Sequence, residues 1–216
     1  MEIGKTYHLY THVNGSENLF RNEDNYRYFL KRYEEFIPPV VDTLAYCLMP
    51  NHLHLLVRVK SEAELKEFFK SKLEKAKDPK DPKDLTGLSG ADKQDLSGLE
   101  RLTILQFSHL FNAYTKAYNK VYNRRGSLFI RAFKRKEITD DDYFTNIIHY
   151  IHANPVHHGF VQKPDDWQWS SYNDILQETS QLVKSTEIIN WFGNKDRFIS
   201  FHKKPVDLHV NHPNQV

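Results

Sequence analysis

A single cysteine, Cys47, in 216 residues rules out an intrachain disulfide and fits a reducing compartment. No apolar run approaches the roughly 20 residues that would cross a membrane. The first residues, M-E-I-G-K-T-Y-H-L-Y, lack the long apolar stretch of a signal peptide. The reading at this point is a soluble, cytoplasmic protein with no membrane partner. Net charge is also small, +2, so overall composition does not announce a nucleic-acid binder. What the chain does have is 13% aromatic residues, against a mean hydropathy of −0.67, which excludes a disordered chain and describes a polar globular one.

Charge is distributed less evenly than its sum suggests. Lys116, Lys120, Arg124, Arg125, Arg131, Lys134, Arg135 and Lys136 follow one another with no acidic residue among them. Tyr114, Tyr118, Tyr122, Phe129 and Phe133 are interleaved with them. Cations that track phosphates and rings that stack on bases are what a single-strand binder needs. A solvated helix face followed by an edge strand accounts for the same pattern.

Residues 5–13 alternate as a strand does, and N-G-S at 14–16 ends it. Asn22 is placed to cap a helix over 23–36 that Pro38-Pro39 stops. Residues 40–49 and 52–60 form a hairpin through Pro50-Asn51, and Ser61 opens a capping box for a second helix. Residues 75–98 are charged, carry Pro and Gly and lack aromatics, as a solvated insertion does. A long helix is expected over 99–122, a strand over 128–138, and a helix from 140 to 153 that ends ahead of Pro155. The order β-α-β-β-α, then α-β-α, predicts an α+β sandwich, an antiparallel sheet with helices packed on one side. One domain is expected over 1–176, followed by a C-terminal extension at 177–216. In that extension His202, His209 and His212 fall in a flexible tail.

The third strand reads H-L-H-L-L-V, which puts His52 and His54 on one face roughly 7 Å apart. Two imidazoles near one point are a common start for a metal site, and equally two half-buried histidines with ordinary partners. On the 140–153 helix, Phe144, Ile147, Ile148 and Ile151 form the apolar arc. Tyr150 and Asn154 lie one turn apart on an adjoining stripe if the last turn holds. An asparagine carbonyl suits a hard cation such as Mg²⁺ or Mn²⁺. His149 and His152 point elsewhere on the wheel.

Four blocks in order resemble one family. M-P-N-H-L-H-L-L-V at 49–57 looks like the histidine–hydrophobic–histidine strand of the HUH single-tyrosine transposases. R-G-S-L-F-I-R-A-F-K at 125–134, Y-I-H-A-N-P-V-H-H-G-F-V at 150–161 and W-Q-W-S-S-Y at 167–172 are similar to the REP-associated tyrosine transposase branch. The resemblance implies a ferredoxin-like or RRM-like fold and a divalent metal on His52 and His54, with Asn154 as the polar residue one turn beyond the nucleophile. It implies Tyr150 as that nucleophile, cutting single-stranded, hairpin-bearing DNA through a 5′-phosphotyrosine link. Position 153 is alanine, so Tyr150 is the one tyrosine of its block. A homodimer is compatible with this reading. Two other classes stay open: a module of the same fold that binds single-stranded DNA or RNA without cutting, and a histidine-ligated metallohydrolase unrelated to nucleic acid. The second would need a further ligand near His52 and leaves the basic-aromatic stretch unexplained.

Overall fold

The computed structural model describes residues 1–76, 96–130 and 133–206. Most of the expected insertion at 75–98, together with Arg131, His209 and His212, lies outside them. The elements run β1 (Thr6–His12), α1 (Glu23–Phe36), β2 (Val41–Leu48), β3 (His52–Val59), α2 (Glu62–Ala76), α3 (Leu96–Val121), β4 (Lys134–Ile138) and α4 (Asp141–His157). Three short helices follow, α5 (Tyr172–Gln177), α6 (Ser185–Phe192) and α7 (Lys195–His202). The four strands form one antiparallel sheet in the order β2-β3-β1-β4, the ferredoxin-like arrangement anticipated from the sequence.

Local chemistry sets the element ends. Asn22 accepts the Asn25 N–H at 3.2 Å, and the Ser61 box closes with Glu64 accepting the Ser61 N–H at 3.0 Å. Such caps typically contribute about 1 kcal/mol each. α4 runs further than expected, through Pro155 to His157. Proline forfeits one hydrogen bond to the carbonyl four residues back, a small loss in a final turn. The turn is then closed by the Phe160 N–H on the Pro155 carbonyl at 2.9 Å, with Gly159 at φ +71° making the left-handed reversal. β4 is shorter than the expected 128–138: Phe129 makes an isolated bridge to Val13, and regular pairing starts only at Lys134.

Opposed residues of an antiparallel pair share a face. The β1–β3 register therefore puts Tyr7, Leu9, Leu53, Leu55 and Val57 on one side. Helix α1 is tied to that side by a 2.9 Å bond between Tyr33 Oη and Thr43 Oγ1, and α3 packs beside α1 with Tyr114 edge-on to Phe29. These are the helices of the sandwich. α4 lies on the other side, over β2 and β3, where β2 offers the small side chains of Ala45 and Cys47.

The tryptophan run closes the open edge of β2. The Leu48 N–H donates to the Trp169 carbonyl at 2.9 Å, the Trp167 indole donates to the Leu48 carbonyl at 3.1 Å, and Trp169 stacks on Tyr26. The C-terminal segment is not a loose tail at His202. That residue is buried in α7 against α4, its Nε2 2.9 Å from His152 Nδ1. The amphipathic spacing of Phe198, Phe201 and His202 is what docks it.

Candidate active site

β3 and β1 together build the floor. His52 and His54 pair across the ladder with His12 and Tyr10, so His8, Tyr10, His12, His52 and His54 project from one face. The sequence reading recruited only the β3 pair. The missed residues carry the same signal, Y-H-L-Y-T-H, in which His8, Tyr10 and His12 fall at alternate positions of a strand. α4 then brings Tyr150 over this face. Its ring meets His54 edge-on at 5.4 Å between centroids and His8 at 6.2 Å.

Asn154 holds the corner between helix and sheet. Its Nδ2 donates to the Tyr150 carbonyl at 2.9 Å, which fixes the amide's orientation and leaves Oδ1 3.4 Å from His52 Nε2. On its other side His52 Nδ1 lies 2.8 Å from Asn51 Oδ1. Both contacts are to carbonyl oxygens, which only accept, and a neutral His52 has one ring proton for the two: on Nδ1 it makes the shorter bond to Asn51 and leaves Nε2 a lone pair, on Nε2 it goes to Asn154. The first tautomer turns His52 Nε2 and Asn154 Oδ1 toward one another as lone pairs. Beside them His54 Nε2 is buried with no hydrogen-bond partner among the described residues.

Burial keeps these groups neutral. It pushes His52 down to about 4, with the neighbouring His12 adding to the effect and Asn154 partly opposing it. His54 is held well below the usual histidine range, again by burial first and then by His8 and His52. Burial raises the Tyr150 phenol, an effect that Tyr10 and Tyr143 add to and a hydrogen bond with Asn154 offsets in part. Neutral imidazoles with bare nitrogens are the metal-binding form.

Whether a divalent ion fits is answered by the donor set: two imidazole nitrogens, each a lone pair when its ring carries the proton on Nδ1, and an amide oxygen. They fit. Among the described residues no group of three or more His, Cys, Asp or Glu side chains is placed to hold a metal, so an ion held here would take its third protein donor from Asn154.

The basic residues divide by face. Lys134 and Lys136 pair with Tyr10 and His8, which puts both on the histidine side at the sheet's edge. Lys134 Nζ lies 5.8 Å from the Tyr10 ring centroid, and Lys136 Nζ lies 4.4 Å from that of Tyr143. Arg135, opposite Leu9, belongs to the other side. Lys116, Lys120 and Arg125 are exposed on and after α3. Arg124 is engaged within the chain, by Glu17 at 2.7 Å and the Ser127 carbonyl at 2.9 Å. His149 and His152 face α7, away from the site, as their helix position implied.

No protein-family model matches the chain. A Haemophilus influenzae protein named as a candidate REP-associated tyrosine transposase is 25% identical over 160 residues, which are 72% of this chain and 69% of that one. A solved structure described as a REP-associated tyrosine transposase bound to a REP hairpin aligns with 83% of this chain and 84% of its own, with a TM-score of 0.49 and 16% identity. The resemblance carried by the histidine strand, the Tyr150 block and the tryptophan run is borne out by the sequence match: the chain is similar to a candidate REP-associated tyrosine transposase over about 70% of both chains.

Proposed function

We propose that this protein is a metal-dependent enzyme that nicks and rejoins single-stranded, hairpin-bearing DNA through a covalent link to Tyr150. The observation that carries the reading is the convergence of Tyr150, His52, His54 and Asn154 at one point of the sheet, from one strand and one helix. The transposase relative and the lysines at the rim support it.

In this account Oη of Tyr150 attacks the scissile phosphorus as the bond from phosphorus to the 3′ oxygen breaks. The phenol gives up its proton, the departing 3′ oxygen gains one, and the phosphate of the downstream strand stays on the tyrosine. Attack by a 3′-OH on that phosphotyrosine reverses the chemistry and joins strands without an external energy source. A Mg²⁺ or Mn²⁺ ion held by His52, His54 and Asn154 would supply Lewis-acid charge for the non-bridging oxygens. Helix α4 holds the phenol against the sheet, so nucleophile and phosphate meet with little freedom left to lose. Lys134 and Lys136 guide the backbone in along the edge of the same face, and the rings of Tyr10 and Tyr143 beside them offer surfaces for unpaired bases.

The test uses hairpin oligonucleotides labelled at the 5′ or the 3′ end, incubated with the full chain and Mn²⁺ and run under denaturing conditions. The account expects label to stay with protein only when it is on the 3′ side of the nick. Tight binding with no adduct across a broad hairpin panel would mark a binding module instead.

A further inference from the structure

His54 is useful as a ligand only if its buried Nε2 is bare, and something must decide that. Its other nitrogen, Nδ1, lies 2.9 Å from His8 Nε2, with both residues buried and their rings stacked at 5.1 Å. The bond admits two arrangements. If His8 donates, His54 Nδ1 accepts, and His54 keeps its proton on Nε2, pointing an N–H into the site. If His54 donates from Nδ1, His8 accepts, and Nε2 of His54 is a lone pair. Only the second arrangement can take a cation.

His52 displays the same device: with its proton on Nδ1, donated to Asn51 Oδ1 at 2.8 Å, the shorter of its two carbonyl contacts, Nε2 is left as a lone pair. We propose that His8 does for His54 what Asn51 does for His52: it is a positioning residue that accepts the Nδ1 proton, selects the metal-binding tautomer and fixes the ring. The register of β1 against β3 provides the means, since His8 stands on the same face as His54 and two pairs along from it. A partner that orients a ligand in this way typically governs metal affinity by about 10- to 100-fold. The assignment rests on the proposed metal site, and it extends that site to a strand outside the histidine–hydrophobic–histidine motif.

Two measurements on the full chain test it. The first is the tautomer of His54, read from ¹⁵N shifts and long-range proton couplings of the imidazole in the metal-free protein. The proposal expects Nδ1–H. The second is Mn²⁺ affinity, followed by the loss of the free-ion electron paramagnetic signal, for wild type, His54→Ala, His8→Phe and His8→Gln. Phe keeps a ring but cannot accept, and a loss of 10- to 100-fold is expected. Gln offers an acceptor oxygen and should stay within about threefold of wild type.

Thermal unfolding of each variant separates lost affinity from lost fold, and the tautomer needs no variant. An Nε2–H tautomer on His54, or undiminished Mn²⁺ affinity in His8→Phe, would overturn the assignment of His8 and leave the metal site standing. Failure of the wild-type protein to bind Mn²⁺ at all would remove the site and the assignment together.

Discussion

His52 Nε2 and Asn154 Oδ1 stand 3.4 Å apart, where helix α4 meets strand β3. Each is held from behind, His52 by Asn51 and Asn154 by the Tyr150 carbonyl. Asn154→Ala is therefore expected to weaken Mn²⁺ binding by about 10- to 100-fold, while the carboxylate of Asn154→Asp should bind at least as tightly as wild type. Calorimetric titration of both variants decides it, and equal affinity in the alanine variant would remove Asn154 from the ligand set.

The rim lysines should be visible in salt dependence. Replacing Lys134 and Lys136 together by Gln is expected to lower the slope of log affinity against log salt by about 1.4 for single-stranded DNA, about 0.7 for each lost phosphate contact. Arg124→Gln should act on folding instead, since its guanidinium already joins Glu17 and the Ser127 carbonyl. Fluorescence anisotropy at four or five salt concentrations separates the two cases. An unchanged slope in the double variant would take the DNA path off this edge of the sheet.

The sheet was legible because its code is simple. β3 alternates ligand-type and apolar residues over H-L-H-L-L-V, and Asn22, the Ser61 box and Pro38-Pro39 mark helix ends that depend on neighbouring residues alone. Tyr150 and Asn154 could be paired because helical spacing alone sets them one turn apart. His8 and His12 were not recruited, although β1 carries the same alternation. Their importance comes from the β1–β3 register, which joins residues forty or more positions apart. α4 outran its expected end because the cost of Pro155 depends on how the following turn closes. His202 was misread for the same class of reason: its partner, His152, is fifty residues away.

That buried pair predicts acid sensitivity. The Phe198 carbonyl accepts from His202 Nδ1 at 2.8 Å, so His202 Nε2 accepts from His152 Nδ1, and His152 Nε2 accepts from the Ser171 hydroxyl at 2.8 Å. Every nitrogen is used, and both rings are neutral. Burial pushes His202 down to about 3, so the unfolded chain binds the proton first. The stability this group contributes is complete above its ordinary value near 6.5 and is lost as pH falls toward about 3. At pH 5 the loss from His202 alone is on the order of 2 kcal/mol. Urea unfolding at pH 7.5 and pH 5 should show it, with a smaller difference in His202→Gln. Equal pH sensitivity in that variant would place the effect elsewhere.

Capture of a nucleotide on Tyr150 tests the central claim most directly. The protein is reacted with a hairpin oligonucleotide and Mn²⁺, digested with protease and nuclease, and its peptides are weighed. The account expects a phosphonucleotide on the peptide holding Tyr150, absent from a Tyr150→Phe protein that keeps its fold and its DNA affinity. An adduct on another residue, or one that survives in Tyr150→Phe, would contradict it.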